Sequence, residues 1–187
     1  MDDLYVAKPL GSRQIDQAFP VVSASVPDLE VERWRNFATG VLGDAGGRRN
    51  GRGRTATPPE EETPGLAGIM TVQSRRGYIH GLFCYAVEED LRHGKVLAVD
   101  NFVVLDLFDT EAAASVLMRS MEHLARSFGC CAIHTQLPDP GQAPVEHNPM
   151  LRAFRNDGHV VENLRLCKPL DGANDNAANR PVAASGD

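Results

Sequence analysis

The spacing of apolar residues changes along the chain and predicts an alternation of strands and helices. Three consecutive apolar runs, residues 67 to 74, 78 to 87 and 96 to 105, have the length and content of strands. Short Arg-Arg-Gly and Arg-His-Gly sequences separate them, and polar links that contain glycine are typical of turns. The middle of the chain is therefore predicted to form a three-stranded antiparallel meander.

The clearest helix is predicted directly after this meander, over residues 110 to 128. Its apolar side chains recur at intervals of three and four, which places them on one stripe that can face a sheet. The stripe consists of Ala113, Leu117, Met121, Leu124 and Phe128. Gly129 follows at the position where glycine commonly ends a helix. Residues 130 to 136 are apolar enough to predict a buried strand.

Shorter elements are predicted in the N-terminal part of the chain. Residues 4 to 8 are a strand candidate, and Ser12 is positioned to cap a helix whose length Pro20 would limit. Asp28 is positioned to cap a second helix. The apolar face of that second helix would contain Val31, Trp34, Phe37 and Ala38.

The C-terminal part adds one helix and one strand and completes the predicted fold class. Residues 148 to 156 predict a short helix with Met150, Leu151 and Phe154 facing inward, and residues 159 to 166 predict a last strand. Antiparallel strands thus come first and a strand–helix–strand crossover follows. The predicted fold class is α/β (α+β), with a mixed, mostly antiparallel sheet and helices on both faces.

Two segments have almost no apolar residues to bury. Residues 44 to 64 read DAGGRRNGRGRTATPPEEETP and predict a flexible surface loop. Residues 171 to 187 are rich in Asn, Ala, Gly and Asp without periodicity and predict a disordered C-terminal tail. The remaining chain, residues 1 to 170, is long enough for one well-buried core, so a single domain is expected.

Composition and charge exclude several classes of protein. The 187 residues carry a formal net charge of −6, which argues against nucleic acid or an anionic membrane as the main partner. No apolar run approaches the roughly 18 residues that span a bilayer, and the acidic start is unlike a signal peptide, so a cytoplasmic location is expected. The cysteines form no CxxC pair and are interpreted as buried free thiols. They are Cys84, Cys130, Cys131 and Cys167.

One stretch of the chain resembles a known family. Residues 99 to 104, VDNFVV, are similar to the end of the fourth strand in the GNAT superfamily of N-acetyltransferases, where an acidic residue precedes an aliphatic run that lines the acetyl group. The predicted order of elements over residues 4 to 170 is also similar to that family, and NPMLRAFRNDGH resembles its Asn-led helix. The resemblance implies a GNAT-like fold, acetyl-CoA as cosubstrate and an amine as acetyl acceptor.

The resemblance also implies which residues hold coenzyme A. The family places a glycine-rich sequence at the start of the helix after the fourth strand, where backbone N–H groups cradle the pyrophosphate. In this chain those positions are Asp109, Thr110, Glu111, Ala112, Ala113 and Ala114. The strand backbone along the acetyl group would be that of Phe102, Val103 and Val104, and Asn148 would contact the cofactor from the short helix.

The acidic residues of this sequence leave a second interpretation open. Asp109 and Glu111 favour a helix N-terminus for the same electrostatic reason as a phosphate does, and they would repel the pyrophosphate. Asp109 or Thr110 followed by an acidic residue is also a good start for an ordinary helix. The segment is therefore predicted either to bind pyrophosphate or only to cap the helix.

Direct acyl transfer needs a base for the ammonium substrate and backbone donors for the developing oxyanion. By resemblance, Asp100 stands where family members often carry a glutamate base, and its shorter side chain would act through water. Its alternative role is that of a polar residue on a partly exposed strand. Arg155 stands where the family often carries a tyrosine acid, and arginine cannot donate a proton at neutral pH.

The other polar candidates are weighed against packing roles. Packing is the preferred interpretation of His134, His80 and Tyr78, and a role in a site is the alternative. A cysteine nucleophile would require a nearby histidine. No metal site is predicted, because His147 and His159 lack ligand spacing to an acidic pair.

Three functions remain open at this level. The first is an acyl-CoA-dependent N-acyltransferase that acts on an amine of a small molecule or a protein. The second is a non-catalytic GNAT-like binding or regulatory module that has lost coenzyme A binding. The third is an unrelated α/β enzyme or structural domain, since a fold by itself does not determine function. The partner prediction includes no nucleic acid and no membrane, and it leaves a homodimer open.

Overall fold

The chain divides into two compact units, Met1–Val145 and Glu146–Asp187. The computed structural model describes residues 4–26, 28–47, 64–105, 109–137 and 148–162. The described part of the first unit contains a β-sheet and three α-helices, and that of the second contains one helix. The predicted tail from residue 171 lies outside the described residues, and so do residues 48–63 of the predicted loop.

A five-stranded sheet forms the centre of the first unit, with the strands side by side in chain order. The strands are β1 (Tyr5–Pro9), β2 (Ala67–Ser74), β3 (Ile79–Asp90), β4 (Gly94–Val104) and β5 (Ala132–Thr135). Strands β1 to β4 pair antiparallel, and β5 pairs parallel to β4. The predicted meander and the mixed, mostly antiparallel sheet are both confirmed.

Two helices, α1 (Ile15–Ser23) and α2 (Val31–Gly47), pack on one face of the sheet. The indole Nε1 of Trp34 donates a hydrogen bond to the carbonyl of Ile15 at 2.7 Å, which fixes α2 against α1. Of the predicted apolar face of α2, Trp34 and Ala38 are buried, whereas Phe37 is 43% exposed. The shared core consists of Leu10, Ala18, Val21, Val22, Trp34, Ala38, Ile69, Leu82, Cys84 and Val103.

The ends of these two helices differ from the sequence prediction. A 3-10 turn over Ser12–Gln14 precedes α1, so Gln14 and not Ser12 is the N-cap residue. Pro20 lies inside α1, which continues to Ser23 despite the missing N–H donor. Asp28 does not cap α2, because it adopts a left-handed φ of 63° and the helix begins only at Val31. Helix α2 then extends to Gly47, past the predicted start of the loop.

Helix α3 (Thr110–Ser127) packs on the opposite face of the sheet. Adjacent residues of a strand point to opposite faces of the sheet. Leu82 belongs to the core under α1 and α2, so its neighbour Gly81 faces α3. A Cβ at Gly81 would lie 3.1 Å from Cδ1 of Leu117 and 2.8 Å from the carbonyl oxygen of Val103. The missing side chain therefore lets α3 approach β3 closely. Leu117 is fully buried, as its stripe predicts, and Gly129 follows the helix with a φ of 68°.

Strand β5 is less buried than the sequence predicts. All four of its residues are half-buried, and in the described part of the sheet only β4 pairs with it. The interpretation of the cysteines as buried thiols holds for Cys84, but Cys130 is half-buried and Cys131 is exposed at the entry to β5. Cys167 lies outside the described residues.

The second unit contains the short helix α4 (Pro149–Asn156). Phe154 is buried, as predicted, while Met150 and Leu151 are only half-buried. The predicted last strand is not formed over residues 159–162, and residues 163–166 lie outside the described part of the chain. Within the described ranges, no helix is both long and apolar enough to cross a membrane.

Candidate active site

A β-bulge interrupts β4 near its C-terminal end. The pairs Leu82–Val103 and Cys84–Asp100 enclose one residue on β3 but two residues on β4. Asn101 takes up the extra length with a φ of 54°, a left-handed conformation that asparagine tolerates better than most residues. A bulge bends its strand and re-aims the side chains beside it, and bulges are over-represented next to active sites.

The bulge separates an exposed carboxylate from buried side chains. Asp100 is exposed, and it shares a sheet face with Cys84 because residues directly opposed in a sheet point to the same side. That face is the one covered by α1 and α2. Phe102 is only 2% exposed and stacks on Phe83 with ring centroids 6.3 Å apart, and Val103 is also buried. Phe102 and Val103 can therefore offer a ligand only their backbone.

Beyond the bulge, β4 extends past the end of β5. The parallel register joins Val96–Val99 to Ala132–Thr135, and the N–H of Gln136 donates to the carbonyl of Val99 at 2.8 Å. β4 then continues to Val104. Successive N–H groups of a strand point to opposite edges, so alternate N–H groups in this extension point away from β3. The extension can thus direct backbone donors to the side of the sheet where β5 ends.

The N-terminus of α3 is capped by the chain itself. Oδ1 of Asp109 accepts a hydrogen bond from the N–H of Ala112 at 2.9 Å, and the Asp109 carbonyl accepts one from the N–H of Ala113 at 3.2 Å. The side chains of Ala113 and Ala114 are buried against the core. The N–H groups of Ala112 and Ala113 thus already have acceptors within the chain, and their contact with a pyrophosphate stays a prediction. Thr110 and Glu111 lie exposed at the same end of the helix.

Asn148 performs a similar capping role in the second unit. Its Oδ1 accepts hydrogen bonds from the N–H groups of Met150 and Leu151, at 2.9 and 3.3 Å. Asn148 is thus the N-cap residue of α4, and contact with a cofactor stays a prediction. Arg155 is exposed in the last turn of the same helix.

Cys84 is unsuited to act as a nucleophile, because burial raises the pKa of its thiol to about 12. Among the other polar candidates, Tyr78 lies directly before β3 and is 67% exposed, so its interpretation as a packing residue is wrong. His80 packs its ring edge against Tyr5 with centroids 5.3 Å apart, as a packing role predicts.

His134 contacts His93 and lies near Asp90, neither of which was connected with it in the sequence. Its Nε2 lies 3.0 Å from Nδ1 of His93, and that Nδ1 lies 3.5 Å from Oδ1 of Asp90. Backbone N–H groups of His93 and Arg92 donate to Oδ1 of Asp90 and hold the pKa of its carboxyl below the ordinary value. No local sequence pattern predicts this cluster, since His134 follows His93 by 41 positions.

No family model matches this sequence, and no curated protein matches it at a significant level. Its fold, however, is similar to that of several acetyltransferases of known structure. Glucosamine-6-phosphate N-acetyltransferase from Arabidopsis thaliana has a TM-score of 0.61 at 12% identity over 89% of this chain and 99% of its own. A GNAT family acetyltransferase from Staphylococcus aureus has a TM-score of 0.61 at 9% identity, with the same coverage.

A third similar structure contains CoA. An aminoglycoside N-acetyltransferase in complex with CoA has a TM-score of 0.63 at 9% identity, over 88% of this chain and 94% of its own. This chain has the GNAT fold. The stretch of residues 99 to 104 lies at the end of β4, the fourth strand of the sheet, where its resemblance to the GNAT superfamily places it. At these identities the similarity concerns the fold and not the substrate.

Proposed function

We propose that this protein is an acyl-CoA-dependent N-acyltransferase that moves an acetyl group from acetyl-CoA to an amine of a small molecule or a protein. The observation that carries the proposal is the bulge at Asn101 in β4, with the exposed Asp100 beside it and the N-terminus of α3 a few residues further along the chain. The fold supports the same reaction, because the similar structures named above are acetyltransferases and one was solved with CoA.

The proposed reaction is a direct transfer. The amine nitrogen attacks the thioester carbonyl carbon, a C–N bond forms, and the C–S bond breaks to release the thiolate of coenzyme A. Backbone N–H groups of the β4 extension, among residues 102 to 104, would stabilise the oxyanion. Asp100 would accept the proton of the ammonium substrate through a water molecule, the nitrogen would lose a second proton to solvent as the amide forms, and solvent would protonate the thiolate.

Coenzyme A would lie at the end of β4, with its pyrophosphate at the N-terminus of α3. The N–H of Ala112 already donates to the Asp109 carboxylate and that of Ala113 to the Asp109 carbonyl, so the pyrophosphate would have to share the Ala112 N–H with that carboxylate or replace it. Thr110 and Glu111 would flank it, and Ala114 would only shape the helix packing. A cofactor contact from Asn148, a homodimer and a cytoplasmic location remain part of the proposal.

The capping role of Asp109 is also compatible with the alternative function. A binding module that has lost coenzyme A would keep an acidic cap at this helix, because the cap stabilises the helix without a ligand. The two functions differ in a single measurable property, the affinity for acetyl-CoA.

Titration calorimetry with acetyl-CoA and with CoA tests the proposal, followed by detection of the released CoA thiol with a panel of amines. Glucosamine 6-phosphate, an aminoglycoside and a peptide with a free N-terminus represent the acceptors suggested by the similar structures and by the proposal. Saturable binding and thiol release that depends on the amine are the expected results. Absence of acetyl-CoA binding, both in the parent protein and after Asp109→Asn, would favour the binding module.

A further inference from the structure

The cluster of Asp90, His93 and His134 lies where three parts of the sheet meet. Asp90 ends β3, His93 lies in the turn before β4, and His134 lies in β5 opposite Ala98. One oxygen or ring nitrogen from each residue lies within 4.8 Å of the other two. None of the roles proposed for acyl transfer uses these side chains.

Two of the three separations between ligand atoms are close to those around one metal ion, and the third is no more than 4.8 Å. Tetrahedral zinc with bonds of about 2.0–2.1 Å places neighbouring ligand atoms roughly 3.3 Å apart. The measured separations of 3.0 Å, from His93 Nδ1 to His134 Nε2, and 3.5 Å, from His93 Nδ1 to Asp90 Oδ1, lie on either side of that value. An ion could therefore enter with small side-chain adjustments.

The backbone holds two of the three residues in place. Oδ1 of Asp90 accepts hydrogen bonds from the N–H groups of Arg92 and His93, at 2.9 and 2.8 Å, and this fixes the turn. Asp90 pairs with Gly94, whose φ of 70° closes the hairpin. The side chains of His93 and Asp90 are 28% and 33% exposed, so an ion from solvent can reach them.

We propose that Asp90, His93 and His134 bind a Zn²⁺ ion, with the fourth position open to water. Two imidazoles and one carboxylate suit zinc, whereas magnesium and calcium prefer ligand sets made of oxygen. Three protein ligands are also the number found in zinc sites that keep an open position. The ion would replace the proton between the two imidazoles and would tie the β3–β4 hairpin to β5.

In the direct test, a chelator first removes any metal from the full-length chain. The chain is then titrated with Zn²⁺ in the presence of a chromogenic chelator that competes for the ion. One Zn²⁺ per chain is expected, together with a rise of a few degrees in the melting temperature at saturating Zn²⁺. His134→Ala should weaken the affinity at least tenfold and abolish the rise. His123→Ala removes an exposed histidine of α3 outside the cluster, and it should bind Zn²⁺ as the parent does.

Two further measurements keep the test decisive. Asp90→Asn retains an oxygen that can accept the two turn hydrogen bonds but removes the charge, so it should fold and still lose affinity, even if His134→Ala does not fold. Substitution with Co²⁺ should give a spectrum without thiolate charge transfer, since the proposed ligands contain no sulfur. A thiolate band would assign the ion to cysteines and overturn the proposal. Zn²⁺ affinities in Asp90→Asn and in folded His134→Ala that equal the affinity of the parent would also overturn the proposal. The contact between His93 and His134 would then be a plain hydrogen bond.

Discussion

Asp109 and Ala112 are joined by a hydrogen bond of 2.9 Å from the Ala112 N–H to the Asp109 carboxylate, so the first turn of α3 carries its own anion. Glu111 adds a second acidic side chain to the same turn. A helix N-terminus attracts negative charge because its first N–H groups lack partners within the helix. The anion supplied by the chain and the pyrophosphate of a cosubstrate would therefore compete for one position.

Asp109→Asn should separate capping from charge. Asparagine caps helices about as well as aspartate, so the melting temperature should change little. Loss of the negative charge should tighten acetyl-CoA binding by a few-fold, equivalent to about 1 kcal/mol, and the gain should shrink at high salt. Calorimetry at two salt concentrations measures it. Asp109→Ala should instead lose about 0.5–2 kcal/mol of stability with the cap. An unchanged Kd in Asp109→Asn would show that no phosphate approaches this residue.

Asp100→Asn should impair the chemical step without impairing cofactor binding. If Asp100 receives the ammonium proton through water, its loss should lower kcat by roughly 10²–10⁴-fold, while the Kd for acetyl-CoA stays within about twofold. Glu89→Gln makes the same chemical change at an exposed residue of β3 and should keep the parental rate. Steady-state kinetics with one amine acceptor gives both values. A parental kcat in Asp100→Asn would remove this residue from the mechanism.

Leu117→Ala tests the packing of α3 on the sheet. Leu117 is fully buried, and its Cδ1 lies where Gly81 leaves room, so truncation should open a cavity and destabilise the protein by about 2–5 kcal/mol. His123→Ala, at an exposed position of the same helix, should change stability by no more than about 0.5 kcal/mol. Chemical denaturation of both variants measures the difference. Similar stabilities for the two would contradict the assigned face of α3.

The thiols of Cys84 and Cys131 should differ strongly in reactivity. At pH 8 a thiol with a pKa of about 12 is ionised in about one molecule in 10⁴, and Cys84 is also buried, whereas Cys131 is exposed. Iodoacetamide should therefore label Cys131 in the native protein and Cys84 only after unfolding, as read by peptide mass spectrometry. Equal labelling rates would show that the core around Cys84 opens readily.

The same shift in pKa has a consequence for stability at high pH. The folded state favours the neutral thiol of Cys84, and the unfolded chain ionises near the ordinary value of 9.0. The raised pKa of Cys84 therefore makes its full contribution to the stability of the folded state below pH 9. That contribution is lost as the pH rises toward about 12. Cys84→Ala should remove this contribution to the loss of stability above pH 9, which unfolding curves at pH 8 and pH 10 can compare.

Local patterns in the sequence were sufficient to predict most elements of the first unit. The apolar runs and glycine turns predicted β2, β3 and β4, and the stripe that includes Leu117 predicted α3 and its buried face. Such patterns succeed because the period of apolar residues follows the geometry of a strand or a helix. They failed at Ser12 and Asp28, where the neighbouring backbone and not the capping residue type determined where each helix begins.

The candidate site was visible in the sequence only through its resemblance to a family. VDNFVV pointed to the end of β4, but the bulge at Asn101 depends on the register between β3 and β4, which no local pattern encodes. Asp109 shows the same limit. Its residue type suited a cap or a loop, and the tertiary structure placed its carboxylate on the N–H of Ala112.

The sequence by itself therefore determined β2, β3, β4 and α3, their order and the buried face of α3, because these follow from interactions between near neighbours. The tertiary structure alone decided that Asp100 stands beside a bulge and that His93 meets His134. Both depend on contacts between residues far apart in the chain. The pairing of β3 with β4 and of β4 with β5 sets those contacts through its hydrogen-bond register.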